Sequence, residues 1–344
     1  MNGRERVRRC LEFDHPDRVP RDLWVLPGAI QEHGAEAVEA LQRRWPNDCA
    51  APGVANERVL ARVEGDRYAI GRYRDEWGCV FENIHGGVIG QVKRPILDDW
   101  SKLDDLRLPV EVLDIDGETI NRACAASDRF VMSGCCPRPF ERMQFLRGSA
   151  NLYRDLAKEP PELLELLRRV HDLFCKEAEV WSRTRVDAIN FMDDWGSQQN
   201  LLIAPAQWRR LFKPLYADYV RIAHAAGKKA FMHSDGHILA IYEDLVEIGV
   251  DAVNSQLFCM DIAEIGRRFA GRITFWGEID RQHVLPGDDP GAARAAVREV
   301  VENLWRPEGG VIAQFELGPG ARIENGEAIF QAWDEMTNGA APRA

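Results

Sequence analysis

His233-Ser234-Asp235-Gly236-His237 places an imidazole two residues from a carboxylate, directly after the apolar run Lys229-Ala230-Phe231-Met232. That pairing suits two chemistries: ligation of a divalent metal, or general acid–base work by a histidine oriented by its carboxylate. Four other apolar runs end the same way. Asp193-Asp194 follows Ala188–Met192, and Asn254-Ser255-Gln256 ends the run from Asp251, with Cys259 and Asp261 shortly after. Gly277-Glu278-Ile279-Asp280 follows Trp276, and Glu316 follows Phe315. A single polar residue after a strand is often a helix N-cap, which accounts for Asp280 and Ser234. Capping alone does not account for His233, Asp235 and Glu316 together. These three are the candidate metal ligands, with zinc the ion that imidazole and carboxylate suit. The metal-free alternative has His233 as an acid/base oriented by Asp235.

The runs that end in these groups set the fold. From about residue 125 onward, short β-rich apolar runs alternate with longer helical stretches. Arg129–Met132, Ala188–Met192, Lys229–Met232, Asp251–Asn254, Arg272–Trp276 and Gly310–Phe315 read as strands, and Val19–Leu26 supplies another near the start. Leu152–Trp181 is helical, interrupted at Pro160-Pro161; Trp208–Ala226 and Leu239–Ile248 are helices closed by Gly227 and Gly249. This rhythm predicts a parallel sheet covered by helices. No GxGxxG or P-loop follows any strand, so a closed (β/α)8 TIM barrel fits better than a doubly wound sheet. In such a barrel catalytic groups gather at the carboxyl ends of the strands, where the polar clusters fall. The less regular stretch from about 50 to 110 reads as an insertion over the barrel mouth, and 1–340 as a single domain. Trp77 in that insertion reads either as part of a lid over the cleft, with Phe81 and Asp75-Glu76, or as ordinary core. Trp24, Trp77, Asn254 and Gln256 are the candidate substrate contacts.

Composition narrows the class. The chain has 344 residues, 45% of them hydrophobic, enough for one large core. Its formal net charge of -11 argues against nucleic acid or an anionic membrane as main partner, since both require a basic face. Met1–Arg6 has no apolar signal core and no run approaches 18 apolar residues, so the expected location is cytoplasmic. The eight cysteines are scattered without a CxxC pair and are expected as reduced thiols rather than a zinc ribbon or disulfide scaffold.

His233-Ser234-Asp235-Gly236, followed by Asp244-Leu245-Val246-Glu247-Ile248-Gly249-Val250-Asp251-Ala252-Val253-Asn254, resembles the uroporphyrinogen-decarboxylase-like (URO-D) superfamily. The resemblance extends through Phe275–Asp280 and Glu324-Asn325. Asp75-Glu76-Trp77-Gly78-Cys79-Val80, Phe140–Gly148 and the opening Glu5–Pro20 resemble a branch near the corrinoid-dependent methyltransferases. The resemblance implies a barrel enzyme and, for that branch, zinc held by a His-x-Cys pair and a later Cys. His233 matches the histidine, Asp235 stands at the first cysteine position, and Glu316 falls about where the second would be. Carboxylates in place of thiolates make the site harder and suit Lewis-acid work on an oxygen. The arginine-rich amino-terminal segment of true uroporphyrinogen decarboxylases is replaced here by Pro20-Arg21-Asp22-Leu23-Trp24. A tetrapyrrole with eight carboxylates needs a cationic cleft that this sequence does not supply.

The leading expectation is a metal-assisted methyltransferase, moving a methyl group between a small methylated substrate and a small corrinoid protein. Asp194 or Glu278 would serve as general acid. The enzymatic alternative is a decarboxylase acting on a porphyrinogen-like or other small carboxylated substrate without a cofactor. A barrel that binds but no longer catalyses is the third class.

Overall fold

The computed structural model describes residues 1–337. Eleven strands occur among them: β1 Arg21–Val25, β2 Cys49–Ala50, β3 Gly71–Arg74, β4 Val80–Asn83, β5 Gln91–Val92, β6 Phe130–Val131, β7 Ala188–Met192, β8 Lys229–Ser234, β9 Ala252–Ser255, β10 Thr274–Trp276 and β11 Val311–Leu317. Six form one parallel sheet in the order β1-β11-β10-β9-β8-β7, and β2 pairs in parallel with β6. The two groups join at both edges. Asp48 N donates to Arg21 O at 2.8 Å beside β1, while Asp187 N donates to Val131 O at 2.7 Å and Ser133 N to Ala188 O at 2.9 Å beside β7. Eight parallel strands therefore close into a (β/α)8 barrel.

Strand alternation separates two apolar cores. Outward residues such as Met232, Val253, Phe275 and Phe315 pack under the helices. Inward residues Ala188, Phe231, Ala252, Trp276 and Ile312, with Cys49 and Phe130, fill the barrel. Helix Gly3–Leu11, capped by Asn2 accepting from Glu5 N at 2.9 Å, closes the amino-terminal end with Val7, Cys10 and Leu11. The same period of two fixes the mouth. Asn190 follows Ala188, His233 follows Phe231, Asn254 follows Ala252 and Gln314 follows Ile312, each two residues further up an inward-facing row.

Most expected elements are present. Trp208–Ala226 divides into helices Pro205–Leu211 and Lys213–Ala225, because Pro214 cannot extend a helix from Trp208. Leu239–Ile248 begins as the 3₁₀ turn Leu239–Ile241 before helix Tyr242–Glu247. The barrel strand β2, two residues long, carries too little pattern to be read from sequence. The region between β2 and β6 holds an antiparallel sheet, β3-β4-β5. It helps to roof a cavity of about 500 Å³ reaching Gly134, Cys136 and Arg138, in the loop that follows β6. No helix of the described residues is long and apolar enough to cross a membrane. All eight cysteines are free thiols.

Candidate functional site

His233 is the last inward residue of β8, and the register pairs it with Met192 on one side and Asn254 on the other. Its Nδ1 lies 2.5 Å from Asn254 Oδ1, so Nδ1 donates and Nε2 faces the mouth. Asn254 is itself fixed, its amide donating to the Trp276 carbonyl and, at 3.0 Å, to Gln314 Oε1. Nε2 stands 3.5 Å from Asp194 Oδ1 and 3.5 Å from Asp235 Oδ1. The ring of Trp24 lies 5.5 Å from the imidazole, centroid to centroid.

Asp194 and Asp235 belong to different loops, and backbone contact brings them together. Gly196 N donates to Asp235 O at 3.0 Å, His237 N to Ser197 O at 2.8 Å, and Asp235 N to Asp194 Oδ1 at 3.1 Å. A Cβ on Gly196 would lie 2.2 Å from His237 N, and one on Gly236, where φ is +77°, 2.2 Å from Gly196 O. Both positions therefore require glycine. Asp193, next to Asp194, is fully buried and holds the start of helix Pro139–Arg147, accepting from Phe140 N at 2.9 Å and Glu141 N at 2.7 Å.

The electrostatics follow from this crowding. Burial alone would pull the His233 imidazole down, yet the Asp194 and Asp235 carboxylates hold it up to about 9. Burial pushes Asp194 up, but His233, the Asp235 N–H and Arg281 bring it below its ordinary value. Burial pushes Glu278 up to about 8, against the pull of Arg281 and with repulsion from Asp235 and Glu316. Neither Glu278 oxygen accepts a hydrogen bond, although Arg281 Nη1 is 3.5 Å away. Glu278 and Arg281, with Gln256 and Cys259, line a recess of about 30 Å³, room for a water-sized group.

Among the described residues, Asp194, His233 and Asp235 bring ligand atoms within 4.8 Å of one another. Zinc bonds of about 2.0–2.2 Å to nitrogen and oxygen, at a tetrahedral angle, imply donor separations of roughly 3.4 Å. The two 3.5 Å separations match that spacing, and they are long for direct hydrogen bonds. Asp235 Oδ1 is also buried without a hydrogen-bond partner. The donor set thus fits a zinc-class ion. Its third member is Asp194 rather than Glu316, the ligand expected from the sequence. Glu316 is set apart because Arg281 intervenes, Nη1 lying 3.2 Å from Glu316 Oε1 while Nη2 donates to Asp235 Oδ2.

The remaining expected residues divide. Trp24 and Asn254 pack on or bond to His233, whereas Gln256 holds the loop, accepting from Gly236 N at 3.0 Å. Asp280 caps its own turn, accepting from Gln282 N at 2.8 Å and His283 N at 3.0 Å. Trp77, 5% exposed, lines the 500 Å³ cavity rather than the recess beside Glu278; it packs on Phe174 and carries the Arg142 guanidinium over its ring. Sequence reading missed Arg281 and Asp22. Asp22 Oδ2 accepts from the indoles of Trp24 and Trp276, each at 2.9 Å, which fixes the ring that faces His233. The signal for Arg281 was its place three residues after Glu278; for Asp22, a carboxylate next to the apolar run Leu23-Trp24-Val25 of the first strand.

The family match and one structural superposition agree with this architecture. Residues 75–336 match the family model described as uroporphyrinogen decarboxylase (URO-D). Among solved structures, a methyltransferase from Methanosarcina mazei superposes with a TM-score of 0.64, covering 97% of this chain and 99% of its own at 17% identity. A D-psicose 3-epimerase solved in the presence of D-fructose gives a TM-score of 0.40 at 12% identity, over 70% of this chain and 88% of its own. Among curated proteins none matches this chain.

Proposed function

Because the chain belongs to the uroporphyrinogen decarboxylase family, we propose that its barrel mouth is a metal-assisted methyl-transfer site, passing a methyl group from a small methylated substrate to a corrinoid protein. The observation that carries this reading is the placement of His233 Nε2 at 3.5 Å from one oxygen each of Asp194 and Asp235. Those three side chains would hold the ion, and Asn254 keeps Nε2 free for it. A zinc-class ion bound there would supply Lewis acidity toward the substrate heteroatom. Trp24 gives an apolar wall beside the reacting group. Glu278, whose carboxyl burial pushes up to about 8 before any ion is bound, would carry the proton for the departing heteroatom. In the transfer the methyl–heteroatom bond breaks and its electron pair stays on the heteroatom, which takes the Glu278 proton. The reduced corrinoid of the partner protein would supply the electron pair for the new bond to the methyl group. The fold likeness to a methyltransferase supports the reading without fixing a substrate.

Decarboxylation of a polycarboxylated substrate finds less support. Its cationic grip would have to come from arginines near the mouth, yet three of these are engaged: Arg281 by Asp235 and Glu316, Arg138 by Glu141, and Arg142 by Asp75 and Glu76. That leaves Arg67 in the cavity wall as a single cation without a carboxylate partner among the described residues.

The test incubates zinc-loaded protein with a reduced corrinoid protein and a panel of small O-, N- and S-methylated compounds. Methylation of the corrinoid is followed by its absorbance, with carbon dioxide release measured in parallel on carboxylated analogues. Methylation by wild type and its loss in His233→Ala is the expected result. Carbon dioxide release without any methylation would retire the methyl-transfer reading.

A further inference from the structure

We propose that His171, Cys175 and Asp218 form a second divalent-metal site, of zinc class, on the outer helical wall of the barrel. The site is independent of the mouth and of the reaction carried out there. His171 and Cys175 lie four residues apart on helix Pro161–Ser182, which puts both side chains on one face. Asp218 comes from helix Lys213–Ala225, packed alongside. The three bring ligand atoms within 4.8 Å of one another.

The separations fit a tetrahedral ion. Zinc bonds of about 2.0–2.2 Å to nitrogen and oxygen and about 2.3 Å to sulfur imply roughly 3.6 Å between nitrogen and sulfur and 3.4 Å between nitrogen and oxygen. Cys175 Sγ is 3.5 Å from His171 Nε2 and 3.7 Å from Nδ1. Asp218 Oδ2 is 3.1 Å from Nε2, a direct hydrogen bond that an ion would replace as Cys175 turns toward Nε2. The other ring nitrogen is already committed, with Nδ1 3.0 Å from the hydroxyl of Tyr219, a fully buried residue. That contact fixes the ring and leaves Nε2 as donor, the usual arrangement around a metal-bound histidine.

The surroundings favour a cation. The carboxylates of Asp218, Glu179 and Asp172 surround the Cys175 thiol, and a dication bound among them would be held by the thiolate. Arg221 engages the other Asp218 oxygen, Oδ1, at 3.0 Å, so Oδ2 stays directed at His171. One sulfur, one nitrogen and one oxygen select zinc, cobalt or cadmium over magnesium or calcium. An ion here would tie together the two helices that pack behind β7.

Cobalt(II) titration of the full chain tests the proposal, because the two sites give different spectra. The Asp194–His233–Asp235 set has no thiol, so a thiolate-to-cobalt charge-transfer band that survives His233→Ala and is lost in Cys175→Ser reports the outer site. The expected result is a saturable near-ultraviolet band with one equivalent bound, displaced by zinc, kept in His233→Ala and lost in Cys175→Ser and His171→Ala. Absence of the band in wild type, or its survival in Cys175→Ser, overturns the proposal. Should the variants fail to fold, alkylation of wild-type Cys175, located by mass spectrometry, decides instead. Zinc must slow labelling at least tenfold, and equal labelling with and without zinc overturns the site.

Discussion

The Arg281 guanidinium stands between Asp235 and Glu316, donating to Asp235 Oδ2 through Nη2 and lying 3.2 Å from Glu316 Oε1 through Nη1. A fixed positive charge beside a cation site lowers affinity for the ion, by an amount that at an effective dielectric of about 20 is worth tenfold or more. Arg281→Gln should therefore bind zinc at the mouth at least tenfold more tightly. The same change leaves Glu278 and Glu316 less compensated, so the metal-free variant should lose roughly 1–3 kcal/mol of stability. Calorimetric titration and chemical denaturation read the two effects. Unchanged or weaker zinc binding would separate Arg281 from the metal ligands.

Gly196 and Gly236 let the loops after β7 and β8 touch backbone to backbone. A methyl on Gly196 has no room against His237 N, so Gly196→Ala must push the loops apart. Asp194 and Asp235 would separate, and mouth zinc binding should fall tenfold or more, as expected when ligand positioning is lost. The barrel should stay folded. An alanine variant that binds zinc as wild type does would mean that the ligands do not depend on this contact.

Asp22 supplies a pH signature. Burial pushes its carboxyl up to about 6 from 3.8, although Trp276 and Trp24 donate to it. The neutral form is thus favoured by folding: the stabilisation is complete below about pH 4 and is lost as pH rises through 6. Two units correspond to roughly 3 kcal/mol. Asp22→Asn keeps a carbonyl for both indoles but does not titrate. Relative to wild type it should gain about 2–3 kcal/mol between pH 4 and pH 7, read from denaturant midpoints. A stability difference that stays flat across this range would exclude ionisation of Asp22 in the fold.

These details mark where sequence reading stops. The barrel was legible because its strands are apolar runs of regular spacing, and the mouth because polar groups follow those runs directly. His233, Asp235 and Asn254 came from that pattern alone. The place of Glu316 did not, because only packing reveals that Arg281, distant from both in sequence, lies between it and Asp235. Asp194 was legible as a charged group at a strand end, but its meeting with Asp235 depends on two glycines whose contact is tertiary. β2 escaped because two residues have no periodicity. Trp77 is buried and lines the cavity that the insertion helps to roof, a setting its place in an irregular stretch of sequence did not specify.

Trp77→Ala should expose that packing. The indole lies between Phe174, with ring centroids 5.8 Å apart, and Arg142, whose guanidinium carbon is 4.8 Å from the ring centroid. Truncating a buried tryptophan costs about 3–5 kcal/mol. The variant should melt well below wild type while retaining zinc at the mouth. Loss of zinc without loss of stability would instead tie the insertion to the metal site.

Glu278→Gln separates acid catalysis from structure. Glu278 is 3% exposed, is held neutral up to about 8, and accepts no hydrogen bond on either oxygen. Glutamine has the same shape and no charge, so the fold should tolerate it to within about 1 kcal/mol. It has no proton to give, and turnover should fall between a hundred- and ten-thousandfold with KM little changed, the usual size of a general-acid contribution. Wild-type turnover should also decline on the alkaline side as the carboxyl ionises and its proton is lost, with the limb below pH 8 because a bound dication favours the carboxylate. The residual activity of Glu278→Gln should lack that alkaline limb, which a purely structural role would leave in place. Full activity in the variant, or an alkaline limb unaltered by it, would move the proton donor to another group.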